Sequence, residues 1–365
     1  MEDEDLRLVK VKASRLAMNL PREYKKLVCV KLTSNFREAV SVVTESTAKL
    51  NRNEIFLKTK YVGVNATDVN ATVARYGPAT PPFDVGFESV CEVVAVGDDV
   101  KHLSVGSAVA TINVPGLGAY SEYQRVLASK VFPIPRAVPE VIPLLISGLT
   151  AAIGLDEQGR IKEGETVLIT AAAGGLGHLA VQWAKARKCH VIGTCSSPVK
   201  EEYLKTIGCD KVINYKTQDL GAELKEAYPE GLDVVWETIG GKTFEVLVDR
   251  LSNRGRLVVV GTISGYQSGD KAFPHVHLRN LPSMLLKRSA SVSGFHLSHY
   301  HNLIPEYMVK LNKMMQNGSI VARVDFGLNA EGGELRGLDG CVRGVEYLHS
   351  GKSVGKVVVK MDESA

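Results

Sequence analysis

The spacing of apolar residues changes near Glu163 and divides the chain into two kinds of region. From there to about residue 295, short β-branched apolar runs alternate with stretches whose apolar residues recur every three or four positions. This pattern indicates strands alternating with helices. Strands are predicted near residues 166–170, 190–193, 211–213, 233–236, 256–260 and 291–294. Six strands joined by helical crossovers predict an α/β fold with a doubly wound parallel sheet.

Between Lys26 and Arg125 the apolar runs are shorter, and glycine, proline and asparagine turns separate them. These runs lie at residues 27–30, 54–59, 89–96 and 108–110. Short strands at this spacing predict a partly open β-barrel. A proline-rich linker then leads into a predicted helix over 144–155. Near the end of the chain, a helix is predicted over 307–316, and the run 355–359 predicts a last strand that rejoins the barrel.

A glycine-rich turn, Ala171–Gly177, follows the strand at 166–170 and precedes apolar residues at helical spacing. Strand, glycine turn, helix and strand form the unit that binds a dinucleotide. Its glycines let the backbone approach the pyrophosphate, and the N-terminus of its helix supplies free N–H donors. The alternative is a turn that needs glycine only for close packing. We predict a dinucleotide-binding domain over 149–295, a barrel domain over 23–148 and 296–365, and an N-terminal arm over 1–22.

Composition narrows the possible partners and the compartment. The chain has 365 residues, 44 basic and 40 acidic, so its small positive charge of +4 is no argument for nucleic acid or membrane. No uninterrupted apolar run is long enough to predict a membrane span. Six scattered cysteines without a Cys-x-x-Cys pair are typical of reduced thiols in an intracellular protein. The acidic start, Met1–Asp5, argues against secretory and mitochondrial presequences.

The segment after the second predicted Rossmann strand indicates which nicotinamide cofactor binds. Sites for NAD usually place an acidic residue there, to bind the ribose 2′-hydroxyl. Gly193–Lys200 contains no acid and instead offers the hydroxyls of Ser196 and Ser197 and the ammonium of Lys200. These groups suit a 2′-phosphate, so NADPH is the predicted cofactor. Lys200 could also be a solvated lysine at a helix start.

The chain resembles the medium-chain dehydrogenase/reductase superfamily in the order of barrel, linker, glycine turn and returning strand. Val62–Asp68 resembles the N-terminal segment of its quinone-oxidoreductase and enone-reductase branch, which works without zinc. Phe83–Glu88 occupies the place of the Gly-His-Glu segment, and Ser147–Ala151 that of the Gly-x-Thr-Ala junction. Longer runs extend the resemblance over nearly the whole chain: 35–40, 171–175, 189–197, 213–217 and 263–267. The resemblance implies a GroES-like barrel domain and a Rossmann domain.

The residues at the zinc positions of these relatives argue against a metal. The first ligand position, a cysteine in zinc-dependent members, is Asn65, and the second, a histidine, is Phe87. The four closely spaced cysteines of the structural zinc lobe are missing from the sequence. Loose histidines at 275, 277, 296, 299 and 301 are more often surface groups. We therefore expect no bound metal.

By resemblance, residues of both predicted domains contact the cofactor. Ser196, Ser197, Lys200 and Tyr215 would line the 2′-phosphate, and Gly174, Gly175 and Gly177 would approach the pyrophosphate. Thr150 would face the nicotinamide, and Gly261 would lie where the cofactor crosses the crevice after the fifth strand. Tyr215 could equally be a half-buried tyrosine at a strand end.

Without zinc, the reaction that fits is hydride addition to the conjugated C=C bond of an α,β-unsaturated ketone. Tyr266 is the expected donor to the ketone oxygen, where negative charge develops, although it could be a surface-loop tyrosine. Asn65 could orient substrate or a ribose hydroxyl, or merely satisfy a turn. Tyr76 is a weaker candidate for the substrate pocket. Solvent or Tyr266 could protonate the α-carbon.

The resemblance implies 15-oxoprostaglandin 13-reductase activity with NADPH. An NADPH:quinone oxidoreductase and a catalytically idle NADPH-binding protein are the alternatives, since the fold alone excludes neither. The resemblance also implies a homodimer formed through the sixth Rossmann strand, near Ser289–Gly294. A similar chain carries a peroxisomal C-terminus, whereas this one ends in Ser364-Ala365. We therefore expect a cytoplasmic protein, with the peroxisome as the alternative.

Overall fold

The computed structural model describes residues 20–77, 79–113, 118–268 and 280–361. The predicted arm falls almost entirely outside these residues, and His275 and His277 lie outside them as well. Two large sheets and a small three-stranded one organise the described chain. The two large sheets correspond to the two periodicities of the sequence.

The N-terminal part consists mainly of short strands with two short helices between them. Its strands are β1 (Glu23–Cys29), β2 (Val40–Ser46), β3 (Glu54–Gly63), β4 (Phe83–Asp84), β5 (Glu88–Val96), β6 (Ala108–Ile112), β7 (Tyr123–Leu127) and β8 (Val131–Pro133). Its helices are α1 (Phe36–Ala39) and α2 (Asp68–Thr72). Strand β3 pairs antiparallel with both β5 and β7, while β5, β6 and β8 continue the sheet. The sheet curls into a half-barrel, which confirms the predicted partly open barrel.

The middle of the chain alternates helices and strands. In chain order these are α3 (Ile146–Glu157), β9 (Thr166–Ile169), α4 (Gly177–Ala186), β10 (His190–Cys195), α5 (Pro198–Thr206), β11 (Lys211–Asn214), α6 (Leu220–Ala227), β12 (Leu232–Glu237), α7 (Gly241–Asp249), β13 (Leu251–Val259), α8 (Leu281–Arg288) and β14 (Ser291–Gly294). The strands are parallel in the order β11-β10-β9-β12-β13-β14. Chain order reverses beside β9, so the crevice at its carboxyl end is where such sheets bind ligands. The predicted doubly wound sheet is confirmed.

The C-terminal part returns to the half-barrel. It contains α9 (Ile304–Gln316), β15 (Val324–Asp325), α10 (Gly337–His349) and β16 (Lys356–Lys360). Strand β16 pairs antiparallel with β3, with Val358 opposite Gly63, and parallel with β15. An isolated bridge joins Gly355 to Gly174 of the glycine turn. The last strand therefore rejoins the barrel, while the exact domain bounds stay a prediction.

Helix α3 runs through the core that the two sheets share. Its residues from Ser147 to Leu155 are all buried. Gly154 lets the Trp236 ring lie against the helix, since a Cβ there would stand 2.3 Å from the ring. The 3-10 turn that precedes α3 and the helix itself together span Pro139–Glu157, which is long and apolar enough to cross a membrane. However, 78% of its most apolar stretch is buried within the protein. Other 3-10 turns lie at Ala128–Lys130, Ile263–Gly265 and Leu297–Leu303.

Candidate active site

A cavity of about 1330 Å³ lies between the half-barrel and the carboxyl ends of the Rossmann strands. Such a crevice is the usual ligand site of an α/β sheet, and its size is above the range of pockets for small ligands alone. Of the residues predicted from the sequence, these line it: Asn65, Tyr76, Thr150, Gly174, Gly175, Gly177, Ser196, Lys200, Tyr215, Gly261 and Tyr266. Ser197 is not among the lining residues.

The glycine turn occupies the centre of one wall. Gly174, Gly175 and Gly177 lead into helix α4, whose N-terminus opens toward the cavity. At Gly177 a Cβ would lie 2.4 Å from the Ala171 carbonyl oxygen, so this glycine is required for packing. At Gly174 a Cβ would meet that oxygen at 3.3 Å, within a range that is tight but tolerable. The turn therefore fits a pyrophosphate at a helix N-terminus, although close packing explains one of its glycines.

Ser196, Lys200 and Tyr215 form one corner of the cavity, near the end of β10. The Lys200 ammonium donates to the Gly351 carbonyl oxygen at 2.6 Å and lies 3.5 Å from the Ser196 hydroxyl oxygen. Burial lowers the pKa of Lys200, because desolvation disfavours its charged form. The corner thus offers a cation and a hydroxyl with few competing acids. It fits the 2′-phosphate of NADPH.

Ser197 has a different local task. Its hydroxyl oxygen accepts a hydrogen bond from the Lys200 backbone N–H at 3.4 Å and caps helix α5. A cap of this kind satisfies one of the free N–H groups at a helix start. The structure accounts for Ser197 without a cofactor, while its expected contact with the phosphate stays a prediction.

Tyr266 lies beside Gly261 on the Rossmann side of the cavity. Its side chain is 8% exposed, and its hydroxyl oxygen accepts a hydrogen bond from the Thr262 N–H at 3.2 Å. A Cβ at Gly261 would come within 3.0 Å of that oxygen, so glycine leaves room for the hydroxyl. Arg75, from the opposite wall, donates to the Tyr266 carbonyl oxygen at 2.9 Å. The arginine thereby ties the two walls together at this end.

The cavity lining also includes the large apolar side chains of Phe83, Phe87, Phe295 and Leu297. Tyr76 lies exposed at its rim, and its hydroxyl accepts a hydrogen bond from the Asn70 amide at 3.2 Å. The Tyr76 and His296 rings meet edge to face, 5.8 Å apart. The apolar part of the lining suits an extended apolar substrate.

Asn65 belongs to a buried polar cluster that sequence reasoning missed. The Lys356 ammonium donates to the Asn65 side-chain oxygen at 2.6 Å, to Glu88 at 2.6 Å and to the Ser147 hydroxyl oxygen at 3.3 Å. The Asn65 amide nitrogen donates to the same Glu88 carboxylate at 2.9 Å. Both ends of the Asn65 amide are therefore held by the Lys356–Glu88 ion pair. We call Asn65, Glu88, Ser147 and Lys356 the ammonium cluster.

Asp68 supports this cluster from beneath. Its buried carboxylate accepts hydrogen bonds from the Asn65 N–H at 2.8 Å and the Tyr120 hydroxyl at 2.7 Å. Desolvation raises the pKa of Asp68 to about 7, and the nearby Lys356 ammonium opposes this rise. The carboxyl group fixes the backbone from which Asn65 projects.

Two features of the sequence could have revealed the cluster. Lys356 stands just before the apolar run 357–359, and a lysine at such a position is rarely buried unless it is paired. Glu88 closes the segment that resembles the Gly-His-Glu motif. Their contact joins positions far apart in the chain, which no local pattern encodes.

The positions of the metal in zinc-dependent relatives hold no ligand set here. Asn65 is bound by Lys356 and Glu88, and Phe87 has no ligating atom. In the described part of the chain, no group of three histidine, cysteine or acidic residues is arranged to hold a metal ion. His296 and His299 lie side by side at the cavity mouth, with ring centroids 5.4 Å apart.

Comparison with known proteins agrees with this architecture. Residues 51–136 match the alcohol dehydrogenase GroES-like domain family, and residues 175–313 match the zinc-binding dehydrogenase family. The chain is 44% identical to prostaglandin reductase-3 of Mus musculus over 94% of this chain and 90% of that protein. It is 40% identical to a probable quinone oxidoreductase of Leishmania amazonensis, over 94% of this chain and all of that protein.

A solved structure shows the same fold with the cofactor. Quinone oxidoreductase of Escherichia coli, complexed with NADPH, superposes with a TM-score of 0.79 at 29% identity, covering 92% of this chain and all of that one. Similarity of this extent covers both sheets and the cavity between them. The chain therefore belongs to the medium-chain dehydrogenase/reductase superfamily, in the branch of the quinone oxidoreductases and prostaglandin reductases.

Proposed function

We propose that this protein uses NADPH to reduce the conjugated C=C bond of α,β-unsaturated ketones, with 15-keto-prostaglandins as its substrates. One observation carries the proposal: a single cavity is lined by Ser196 and Lys200, which suit a phosphate, by Tyr266, and by several large apolar side chains. A relative at 44% identity bears the name prostaglandin reductase-3, which supports a prostanoid as the substrate class. The phenylalanines and Leu297 of the cavity lining suit an acyl chain.

The residues of the cavity divide the work. NADPH, when bound, supplies the hydride that reaches the β-carbon of the enone. Lys200 and Ser196 hold the 2′-phosphate, and the glycine turn binds the pyrophosphate through its backbone N–H groups. The electron pair of the C=C bond moves toward the ketone oxygen, where the Tyr266 hydroxyl stabilises the charge by a hydrogen bond. The α-carbon then takes a proton from solvent or from Tyr266.

Loss of NADPH absorbance with 15-keto-prostaglandin E2 tests this function, with a simple quinone as competitor and NADH as control. We expect NADPH oxidation with the prostanoid, formation of the 13,14-dihydro product and little reaction with NADH. Turnover of the quinone alone would support a quinone oxidoreductase, a function that the Leishmania amazonensis relative favours. Binding of NADPH without any turnover would support an idle binding protein.

Replacement of Tyr266 by Phe tests its role as a donor. Removing one donor from an oxyanion site typically lowers kcat on the order of a hundredfold. Tyr228→Phe is the matched control, because the Tyr228 hydroxyl hydrogen-bonds to His190 and lies outside the cavity lining. Equal kcat for wild type and Tyr266→Phe would contradict the role.

We further propose a homodimer formed through β14. This strand lies at the edge of the Rossmann sheet, so its outer N–H and C=O groups can pair with a second copy. Leu286, on the neighbouring helix α8, is 83% exposed and would gain cover there. Light scattering after size exclusion should give twice the mass of one chain for the wild type. For Val292→Pro it should give the mass of a single chain. A monomeric wild type would contradict the proposal.

A further inference from the structure

Asn65, Ser147 and Lys356 of the ammonium cluster line the reaction cavity. The sequence suggested a candidate role for Asn65, but neither the sequence nor the proposed function assigns a task to Glu88, Ser147 or Lys356. The side chains of Lys356 and Glu88 are 3% and 0% exposed, so the ion pair is buried. Burying two charges is costly, and their attraction repays that cost only with good geometry and further hydrogen bonds. A buried pair whose cation lines a cavity is therefore a candidate for function rather than stability.

The hydrogen bonds of the cluster leave one donor available. Lys356 uses its three N–H groups on Glu88, Asn65 and Ser147. The Asn65 amide donates to Glu88 and, more weakly at 3.4 Å, to the Gly63 carbonyl oxygen. Ser147 accepts from Lys356, and its hydroxyl hydrogen has no acceptor among the residues that the structure describes.

The position of Ser147 directs this hydrogen toward the reactants. Ser147 lines the cavity and lies three residues before Thr150 on helix α3, so both side chains are on one face of the helix. Ser147 is 4% exposed and therefore largely shielded from bulk water. An ammonium that bonds the oxygen of a hydroxyl draws electron density from it and makes its hydrogen a stronger donor, most of all in a dry site.

We propose that the Ser147 hydroxyl, polarised by the Lys356 ammonium, donates a hydrogen bond to the ketone oxygen of the substrate during hydride transfer. This role rests on the proposed function. Ser147 is then a catalytic residue, and Lys356 and Glu88 are positioning residues. A cation at the wall where zinc-dependent relatives place a metal ligand thus acts on the substrate through a hydroxyl.

The step is balanced without a further reactant. The hydride that bound NADPH would supply adds to the β-carbon, and the C=C electron pair moves to form the enolate. The enolate oxygen accepts a hydrogen bond, but no proton, from Ser147. A proton from water reaches the α-carbon and completes the saturated ketone.

The test compares Ser147→Ala with Ser147→Thr, which restores a hydroxyl, and with Ser121→Ala. Ser121 is a matched control, because it is also buried but donates to the Tyr123 carbonyl oxygen outside the cavity lining. Three readouts are needed: kcat with 15-keto-prostaglandin E2, NADPH affinity by fluorescence titration, and thermal midpoint. Lys356→Met tests the role of Lys356 as a positioning residue.

We expect Ser147→Ala to lose kcat by about tenfold to a hundredfold at unchanged NADPH affinity and thermal midpoint. Ser147→Thr should recover most of the loss, Ser121→Ala should match wild type, and Lys356→Met should lose kcat at unchanged NADPH affinity. An active wild type with equally active Ser147→Ala overturns the inference alone. A loss that tracks weaker NADPH binding also overturns it, since the hydroxyl then serves the cofactor. A wild type that reduces no enone overturns the proposed function and this role with it.

Discussion

The two walls of the cavity are built in opposite ways. On the Rossmann wall, the glycine turn and the corner of Ser196 and Lys200 come from two consecutive strand–helix connections. On the barrel wall, Asn65, Glu88 and Lys356 come from three strands or their ends, and the first and last are 291 residues apart. The first wall presents backbone N–H groups, a hydroxyl and a cation, whereas the second binds most of its polar groups to one another.

This difference shows how each wall meets its ligand. The Rossmann wall keeps donors for a phosphate, which brings its own negative charge and several acceptor oxygens. In the proposed reaction the barrel wall faces the reacting atoms, where charge develops only during hydride transfer, so its dipoles must be fixed beforehand. Substitutions in the Lys356–Glu88 pair should therefore reduce stability and kcat, while those at the Ser196 and Lys200 corner should mainly reduce NADPH affinity.

The largest expected effect on the barrel wall comes from removing one partner of the buried Lys356–Glu88 ion pair. Lys356→Met leaves the Glu88 carboxylate buried without its cation, which costs about 3–5 kcal/mol in the free energy of unfolding. Urea unfolding monitored by circular dichroism measures the change.

The double variant Lys356→Met/Glu88→Gln separates charge from shape. Because it removes both charges, it should regain most of the lost stability without regaining kcat. Arg256→Met is a control from a salt bridge to Glu165 at the far end of the sheet, where the side chains are 15% and 19% exposed. If Lys356→Met unfolds no more easily than Arg256→Met, the barrel wall is not held together by this pair.

On the Rossmann wall, Lys200→Ala should raise the KM for NADPH by roughly tenfold to a hundredfold, because a hydrogen bond to a charged group contributes about 1.5–3 kcal/mol. The KM for NADH should not change, since NADH has no 2′-phosphate. Lys205→Ala, on the exposed side of the same helix, is the matched control. Equal increases for both cofactors would contradict the phosphate-binding role of Lys200.

A third prediction concerns the pH dependence of the free energy of unfolding. Burial raises the pKa of Asp68 to about 7 from its ordinary 3.8. Between these values the folded protein holds a proton that the unfolded chain has released, so the free energy of unfolding falls as the pH rises from about 4 to about 7. Asp68→Asn, which does not titrate, should flatten this slope in urea unfolding at several pH values.

Glu237, on the Rossmann side, provides the comparison for Asp68. Burial also raises its pKa to about 7, and Glu237→Gln should flatten the slope in the same direction. Only Asp68→Asn should also lower kcat, since Asp68 holds the backbone of Asn65. Parallel slopes for wild type and Asp68→Asn would show that Asp68 titrates normally.

The smallest effect separates two adjacent serines. Ser197→Ala removes the cap of helix α5 and should cost about 1 kcal/mol in the free energy of unfolding, with little change in the KM for NADPH. Ser196→Ala should raise the KM for NADPH with little change in the free energy of unfolding, because Ser196 lines the cavity beside Lys200. Thermal unfolding and NADPH titration of both variants check this. A large rise in KM for Ser197→Ala would place its hydroxyl on the phosphate after all.

The sequence by itself determined the two sheets and most of the Rossmann wall. Strand and helix periodicities are local signals, and so is the glycine turn, whose residues act within one connection. The absence of an acid in Gly193–Lys200 and the presence of Lys200 are equally local. Since a phosphate is bound by neighbouring backbone and side-chain groups, short stretches were enough to predict that corner.

Tertiary structure alone decided the barrel wall. The sequence suggested that Asn65 orients substrate or a ribose hydroxyl or satisfies a turn. It gave no role to Lys356, Glu88 or Ser147, because their contacts form only when β16 returns to pair with β3. It also grouped Ser197 with Ser196, although the start of helix α5 turns one hydroxyl to the helix and leaves the other at the cavity. A buried charge is stable only beside its partner, and the chain fold, not the local pattern, supplies that partner.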